Sequence, residues 1–539
     1  MQRDTRKPRR LRARLAIAAL TLALATAAGL GTGTAVASNH HHGGAHDSAD
    51  GHWQPPGSPG HGGNQPPNDH PVPGTDYSTA PQDLAPPPIS VLTNDPGTAP
   101  GEIFVAPKAG PTATTLSGQQ GPEIIDNQGR PIWFQPIDAP YASTDLRVQQ
   151  YRGQPVLTYT VGQSSGGPGH SEGEDVILNQ HYQQIATVSA GNGLAADQHE
   201  FALTPYGTAL ITIYHQVPYD LSSLGGPANG SVLDGVVQEI DVATGKVLFE
   251  WDSLQHVPLT DSYQPLPTDP STPYDYFHIN SVNLGADGNL LISARHTWTV
   301  YDVDHRTGAI IWHLGGRESD FQLGPGVHFS WQHNALPEAG QPNTIRIFDN
   351  GSNAVAPGQT PEEPQSRVID VQLDTTNHTA TLVDQVLHPD GVSAASQGNA
   401  ERLPDGHLFV GYGQTGRFSE FDGSGNLLWD GQVPAGYDTY RAYRSEWVGE
   451  PLTDPTAVAN RADSTHVDVE AIWNGATEVD RWLVLSGQHR GRLHAVGLAD
   501  WNGLVTQTEV RSSDPYVEVV ALDDRGHAIG RSDLVRVSG

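Results

Sequence analysis

Ile240-Asp241-Val242-Ala243-Thr244-Gly245 runs into Val247-Leu248-Phe249 and closes on Trp251. An apolar strand stops at an aspartate, a turn ends on glycine, and a second strand carries an aromatic anchor. Such a turn needs positive φ, which Gly, Asn and Asp supply at low cost. The unit recurs. Upstream it reads Ile124-Ile125-Asp126-Asn127-Gln128-Gly129 with Ile132-Trp133-Phe134, then Ile177-Leu178-Asn179 with Ile185. Downstream it reads Tyr301 to Gly308 with Ile310-Ile311-Trp312, Val368 to Leu373 with Leu382-Val383, and Phe421-Asp422-Gly423-Ser424-Gly425 with Leu427-Leu428-Trp429. The anchors at 133, 185, 251, 312, 383 and 429 are 52, 66, 61, 71 and 46 residues apart.

Between these hairpins lie strands opened by other turns. Thr204-Pro205-Tyr206-Gly207 leads into Ala209 to Ile213, Ala286-Asp287-Gly288-Asn289 into Leu290 to Ser293, and Pro404-Asp405-Gly406-His407 into Leu408 to Val410. A turn-led inner pair followed by an aspartate-turn outer pair makes a four-stranded blade, and this period predicts a β-propeller. Six anchors predict six blades, over residues 76–445. One or two large β-sandwiches would not repeat one hairpin at this spacing.

The flanks read differently. Residues 446–539 break the repeat. Val467, Val469, Ala471 and Trp473 alternate with polar residues, and Tyr516 to Leu522 leads into a turn at Asp523-Asp524-Arg525-Gly526. This resembles the closing hairpin of an immunoglobulin or fibronectin type III β-sandwich without its disulfide, a packing or adhesion module. Residues 1–37 read as a signal peptide. Seven basic residues precede an apolar run from Leu15 to Leu30, and Ala35-Val36-Ala37 matches a cleavage signature. The run is short for a retained anchor and no later stretch spans a bilayer, so a secreted or cell-surface location is expected. Arg9-Arg10 fits a twin-arginine signal poorly. Residues 38–75 hold His40, His41, His42, His46, His52, His61 and His70 among Gly, Pro and Asn. Such a tract is read as a solvated linker, with chelation of a transition metal as the alternative.

Composition narrows the function. Gly 60 and Pro 42 in 539 residues, with 17% charged residues, fit short strands and tight turns. Cys 0 excludes disulfides, thiolate metal sites and a cysteine nucleophile. The net charge of -31 argues against a nucleic-acid partner. Cleavage after Ala37 would remove seven basic residues and Asp4, leaving 22 basic and 59 acidic residues, a net of -37. No phosphate-cradling glycine motif is present.

Chemistry is expected in the propeller channel, from a dense polar stretch between Asp275 and Asn353. It holds Asp275-Tyr276-Phe277-His278-Ile279-Asn280-Ser281, Ser293-Ala294-Arg295-His296-Thr297, Phe329-Ser330-Trp331-Gln332-His333-Asn334-Ala335 and Phe348-Asp349-Asn350-Gly351. Gln198-His199-Glu200-Phe201 precedes an earlier inner strand. In extended chain His278 and Asn280 share a face, whereas His296 faces away from Arg295 and packs between blades. A metal site wants carboxylates among its histidines, and the acidic neighbours here are Glu200 and Asp275. Histidines with arginine and amide donors suit a tetrahedral oxyanion better, and neutral imidazole is a competent nucleophile toward sulfuryl or phosphoryl groups.

The runs F-H-I-N-S-V-N, L-I-S-A-R-H-T, W-H-L-G-G-R-x-S-D-F, F-x-W-Q-H-N-A and I-x-I-F-D-N-G, with Gly398-Asn399-Ala400-Glu401-Arg402, resemble the bacterial arylsulfotransferases. The likeness extends from about Ile89 to Val448. It implies a six-bladed propeller that moves a sulfuryl group from a phenolic sulfate ester to a phenol, independently of phosphoadenylyl sulfate and with no cofactor or metal. It implies a ping-pong route through a sulfohistidine. His333 is the implied nucleophile, with Asn334 as a possible orienting amide. His278 and His199 are implied as acid–base or sulfate-binding groups, Arg295 as the sulfate clamp, and Asn280 and His296 as substrate-binding residues. Some members carry a periplasmic disulfide, so this chain belongs to a cysteine-free branch. The partners implied are small phenolic molecules; oligomeric state is left open. A non-catalytic secreted propeller binding sulfated or other anionic ligands is the alternative, without a covalent intermediate. A quinoprotein-type dehydrogenase is set aside for want of an eight-fold repeat and calcium ligands.

Overall fold

Six sheets, each built around one of the recurring hairpins and antiparallel except for a short parallel strand, Gln322–Leu323, on the fifth, form the blades of a propeller, and the described residues are nearly all β. The computed structural model describes residues 84–111, 113–164, 169–351 and 365–539, and these lie in one compact unit. The expected signal peptide and linker lie outside the described residues.

Blades are numbered here in chain order. In blade 2 the strands Tyr141–Tyr151, Gln154–Ser164, Ser171–Leu178 and Gln184–Val188 follow each other from the channel outward. Blade 3 runs from Phe201–Leu203 to Lys246–Asp252, and blade 4 from Ile279–Leu284 to Ile310–Gly315. Blade 5 runs from His333–Pro337 to Thr379–Leu387, and blade 6 from Asn399–Arg402 to Leu427–Gln432. Blade 1 is composite. Ala442–Ser445 supplies its innermost strand, paired with Glu102–Val105, followed by Glu123–Ile125 and Pro131–Phe134. Ser90–Asn94 adds a fifth, outermost strand to blade 6. Chain segments more than 300 residues apart thus close the ring at adjacent blades.

Apolar clusters fill the spaces between blades. Leu210, Val237 and Trp251 pack with Phe277, Ile279 and Ile292 across blades 3 and 4, and Ile103, Ile125, Phe409 and Trp429 pack across blades 6 and 1. Burying one large apolar side chain contributes about 1.5–3 kcal/mol, so each inter-blade seam is strongly favoured.

Every outer hairpin carries a bulge, with one extra residue on its second strand, the fourth from the channel. These residues are Ile132, Ile185, Leu248, Ile311, Val383 and Leu428. Two of the six sequence anchors, Ile185 and Val383, are such extra residues and stand about half exposed instead of packing inward. The bulge shifts the alternation by one position, so Leu382 packs inward instead of Val383.

After the propeller come two further sheets. One comprises Thr456–Arg461, His466–Ile472 and Val505–Arg511; the other comprises Leu493–Asp500, Arg481–Gly487, Tyr516–Leu522 and Ala528–Arg531. They share a core that includes Val467, Val469, Trp482, Val484, Val517 and Val519. This unit docks on blades 1 and 2. Asn474 exchanges two hydrogen bonds with the Phe134 backbone, at 3.0 and 2.9 Å. The Tyr182 hydroxyl donates to Gly475 O at 2.8 Å and accepts from Trp447 Nε1 at 3.1 Å, while its ring stacks on Trp133. Gly475, at φ 92°, admits that ring; a Cβ would lie 2.4 Å from it. No helix among the described residues is long and apolar enough to cross a membrane.

Candidate active site

The six innermost strands begin at one end of the channel, and that end gathers the polar residues. His199 lies two residues before the inner strand of blade 3, His278 one before that of blade 4, and His333 opens that of blade 5. Gln397 and Tyr440 hold the equivalent places in blade 6 and blade 1. Several of these residues take the left-handed backbone: His278 at φ 53°, Trp331 at 56°, Asn334 at 49° and Gln397 at 67°. Each costs about 1–3 kcal/mol and persists only because the surrounding structure fixes it. Around His278 the fixing bonds are Arg295 N to His278 O, 2.8 Å, and His296 N to Phe277 O, 3.0 Å. Gly398, at φ 114°, follows Gln397, and a Cβ there would lie 2.4 Å from the Phe348 ring.

Four imidazoles form a connected group. The His278 ring lies 5.2 Å from His199, 5.4 Å from His170 and 4.5 Å from His296, centre to centre. Tyr214 packs against His170, His199 and His278, and Tyr440 joins His199 to His333. His199 Nδ1 bonds the Asp197 carboxylate, and His278 Nδ1 bonds that of Asp275. His170 Nε2 reaches the same Asp275 oxygen at 3.0 Å. Burial opposes the Asp275 charge, but the imidazoles around it hold its carboxyl well below the usual range. Burial also opposes a charge on His170; its bond to Asp275 and the nearby carboxylates outweigh that and raise its pKa above the ordinary value. At His278 burial wins, and the pKa falls well below 6.5 despite Asp275.

His333 has a different backing. Its Nδ1 donates to Asn350 Oδ1 at 2.7 Å, and Asn350 Nδ2 donates to Ala394 O and Gln397 O, each at 2.9 Å, which fixes the amide. His333 Nε2 therefore carries the lone pair, and it accepts from Gln397 N at 3.1 Å. Burial, then the positive charge of Arg295, push His333 well below the ordinary histidine pKa. The orienting amide is Asn350, not Asn334 as the sequence suggested. The left-handed Asn334 turns its Oδ1 to Ala400 N, 3.3 Å away.

Two further expectations are corrected. Arg295 and His296 lie in the turn after Leu290–Ala294, so strand alternation does not apply to them. His296 joins Arg295 at the site instead of packing between blades: its Nδ1 donates to Asp275 O at 2.5 Å and its Nε2 accepts from Arg295 NH1 at 2.9 Å. Burial pushes His296 down to about 4, so it is neutral at pH 7. Burial lowers Arg295 to about 10, which leaves it a cation. Its NH2 donates to Ala395 O at 2.9 Å, its guanidinium carbon lies 4.7 Å from the Trp331 ring centre, and its Nε has no protein partner. Asn280 does not share a face with His278, because the left-handed φ of His278 breaks the alternation. Its amide donates to Gln332 O at 2.7 Å, across to blade 5.

Beneath this group lies a plug of paired charges. Arg441 bonds Glu200, at 3.1 and 3.0 Å, and Asn280 O at 3.0 Å, and Arg147 meets Glu200 at 2.6 Å. Glu200 is thus committed to two arginines and does not back the histidines. Sequence reasoning missed His170, Asp197, Tyr214, Tyr440 and Arg441. His170 follows the glycine-rich Gly166-Gly167-Pro168-Gly169, which reads as a plain loop; Asp197, at i−2 to a singled-out histidine, was the one available signal.

The assembled group offers neutral imidazoles, two carboxylate-backed histidines and a desolvated arginine, which suits transfer of a tetrahedral anionic group. Among solved structures the chain is similar to a protein of unknown function from Bacteroides caccae, at 11% identity, TM-score 0.37, covering 64% of this chain and 100% of that one. It is also similar to apo AztD from Citrobacter koseri, at 9% identity, TM-score 0.30, covering 64% and 99%. A third is virginiamycin B lyase from Staphylococcus aureus, at 8% identity, TM-score 0.24, covering 71% and 96%. No curated protein matches the chain. The arylsulfotransferase (ASST) family model matches residues 147–433, which takes in five of the six blades and each histidine of the site. The chain belongs to the arylsulfotransferase family.

Proposed function

We propose that this protein transfers a sulfuryl group from a phenolic sulfate ester to a phenol in two half-reactions, with His333 Nε2 as the nucleophile. The observation that carries this is the difference in backing. Burial and Arg295 keep His333 neutral and the amide on Nδ1 places its lone pair on Nε2, while aspartates behind His199 and His278 can support a ring that gains and loses a proton.

In the first half, Nε2 attacks sulfur and the sulfur–aryloxygen bond breaks. The departing phenoxide takes a proton from Nε2 of His199, or of His278 when that ring is transiently protonated against Asp275, since a phenol of pKa about 10 leaves poorly as the anion at neutral pH. Arg295 and the Gln397 N–H then face the sulfuryl oxygens; the amide that rests on Nε2 turns to an oxygen of the new group. In the second half the acceptor phenol returns its proton to the same imidazole, its oxygen attacks sulfur, and the N–S bond breaks. Arginine electrostatics and positioning supply much of the remaining acceleration.

In the same reading, residues 1–37 are a cleaved signal peptide, 38–75 a linker, 76–445 the catalytic propeller and 446–539 an immunoglobulin-like module. The protein then acts outside the cytoplasm on small phenolic molecules.

The test is mass spectrometry of protein quenched after incubation with p-nitrophenyl sulfate alone. A gain of one sulfuryl group on the His333 peptide supports the reading. An unmodified peptide from a sample that demonstrably turns over would place the nucleophile elsewhere or make transfer direct, and absence of nitrophenol release would favour a non-catalytic anion-binding propeller.

A further inference from the structure

Asp275 sits between imidazoles from two segments of the chain. His170 comes from the start of a blade 2 strand, and His278 lies three residues after Asp275. One ligand atom from each of His170, Asp275 and His278 falls within 4.8 Å of the other two, and the Asp275 Oδ2 atom meets both His170 Nε2 and His278 Nδ1. Two imidazole nitrogens and one carboxylate are the donor set of many zinc sites that keep a fourth position open. With bonds of about 2.0–2.1 Å, tetrahedral ligand atoms stand roughly 3.3 Å apart; His170 Nε2 and Asp275 Oδ2 stand 3.0 Å apart. The His278–Asp275 contact must lengthen.

The site is also rigid. Tyr274, just before Asp275, is pinned on both sides by the Ser231–Leu233 backbone, through Tyr274 N to Ser231 O at 2.8 Å and Leu233 N to Tyr274 O at 3.0 Å. His296 Nδ1 holds the Asp275 carbonyl. Asp275 Oδ1 is buried without a protein partner, so the carboxylate keeps an oxygen that the fold does not use.

We propose that His170, Asp275 and His278 form a divalent transition-metal site, best matched to Zn2+, and that filling it inhibits the enzyme. The metal site stands on its own geometry; the inhibition rests on the sulfuryl-transfer reading above. A cation on His278 Nδ1 displaces the ring proton to Nε2, the nitrogen needed to accept one during turnover. It also takes the Asp275 charge that supports the imidazolium. His278 then cannot cycle, and both half-reactions slow.

The test uses the full chain with His40, His41, His42, His46, His52, His61 and His70 replaced by serine, so that the amino-terminal tract does not compete. Co2+ is the probe, read by its visible absorption, followed by displacement with Zn2+. One equivalent with the spectrum of a four- or five-coordinate nitrogen–oxygen site is expected, weakened at least about tenfold in His170→Ala and in Asp275→Asn. Zn2+ should inhibit p-nitrophenyl sulfate turnover over the same concentration range, reversibly with a chelator. Absence of the one-equivalent spectrum, or a spectrum unchanged in both variants, overturns the site. Binding as expected with turnover unchanged or raised by Zn2+ overturns the inhibition and leaves the site standing. If metal-free protein shows no turnover, the transfer reading fails and the cobalt spectrum still decides the site. Should either variant unfold by circular dichroism, anomalous scattering from cobalt-soaked crystals of the protein without those two substitutions locates the ion or shows none at Asp275.

Discussion

Blades 3 and 4 present their histidines on aspartates; blade 5 presents its histidine on an amide. His199 leans on Asp197 and His278 on Asp275, whereas His333 leans on Asn350. All three lie at or just before the start of an inner strand, and all three rings are buried. Position and burial therefore do not distinguish them. The group on the far nitrogen does. A carboxylate favours the imidazolium and suits a ring that shuttles protons; a neutral amide adds no countercharge and fixes which nitrogen carries the lone pair.

The largest effect should come from removing the amide-backed ring. His333→Ala is expected to lower donor cleavage by about 10⁴-fold or more while leaving the circular dichroism spectrum unchanged, because the residue carries the bond-making step. Activity within tenfold of the parent would break the comparison. Next come the aspartates: Asp197→Asn and Asp275→Asn should each slow both half-reactions by about 10²–10⁴-fold, as expected for general acid–base partners. Their effect should appear in burst and steady-state rates alike; an effect on substrate KM alone would make them binding groups. Arg295→Lys should follow at about 10–100-fold, since lysine keeps the charge but loses the planar fork.

The smallest effect sharpens the comparison most. Asn350→Asp gives His333 the backing of its neighbours. In the parent, His333 has a lowered pKa, so the neutral nucleophile persists below pH 6.5 and the acid limb of donor cleavage should lie under that value. A carboxylate favours the imidazolium and raises the pKa. The acid limb of Asn350→Asp should therefore move up, with activity lost near pH 6 and largely recovered near pH 8. Burst amplitude against pH measures it, and an unmoved limb would show that Asn350 does not set the charge state of His333.

The propeller was readable because its signal is local and repeated. The turn chemistry at Asp241 to Gly245 recurs in each outer hairpin, and neither buried charge nor ring closure has to be known to count it. The bulges were not readable: Ile185 and Val383 are apolar residues on strands, and only the inserted residue reveals that they face water. At the site, motif reading picked out His199, His278, Arg295 and His333, which the structure gathers at one channel end. It did not reveal how they are held. Alternation failed at His278 because it adopts left-handed φ, which the side chain does not advertise, and at Arg295 and His296 because they lie in a turn. Asn350 was visible in Phe348-Asp349-Asn350-Gly351, but its partner lies 17 residues away and is set by the blade 5 pairing.

The bulges have a consequence for how this molecule behaves among its own kind. A propeller exposes one sheet edge per blade, and a straight apolar edge invites another chain to add a strand. In blade 1 the bulged residue is covered by the carboxy-terminal unit, with Gly475 N bonded to Ile132 O, and in blade 6 by the amino-terminal strand, with Asp95 N bonded to Leu428 O. In the other four blades it is bare, with Ile185, Leu248, Ile311 and Val383 between 47% and 55% exposed. In blades 2, 3 and 4 the bulge breaks the row of free N–H and C=O groups, so a foreign strand would find its register interrupted within two or three residues. The inserted residue guards against self-association on three faces, and on the other three the chain fills its own edge in part, in blade 5 through Gln322–Leu323 paired with Thr379–Ala380.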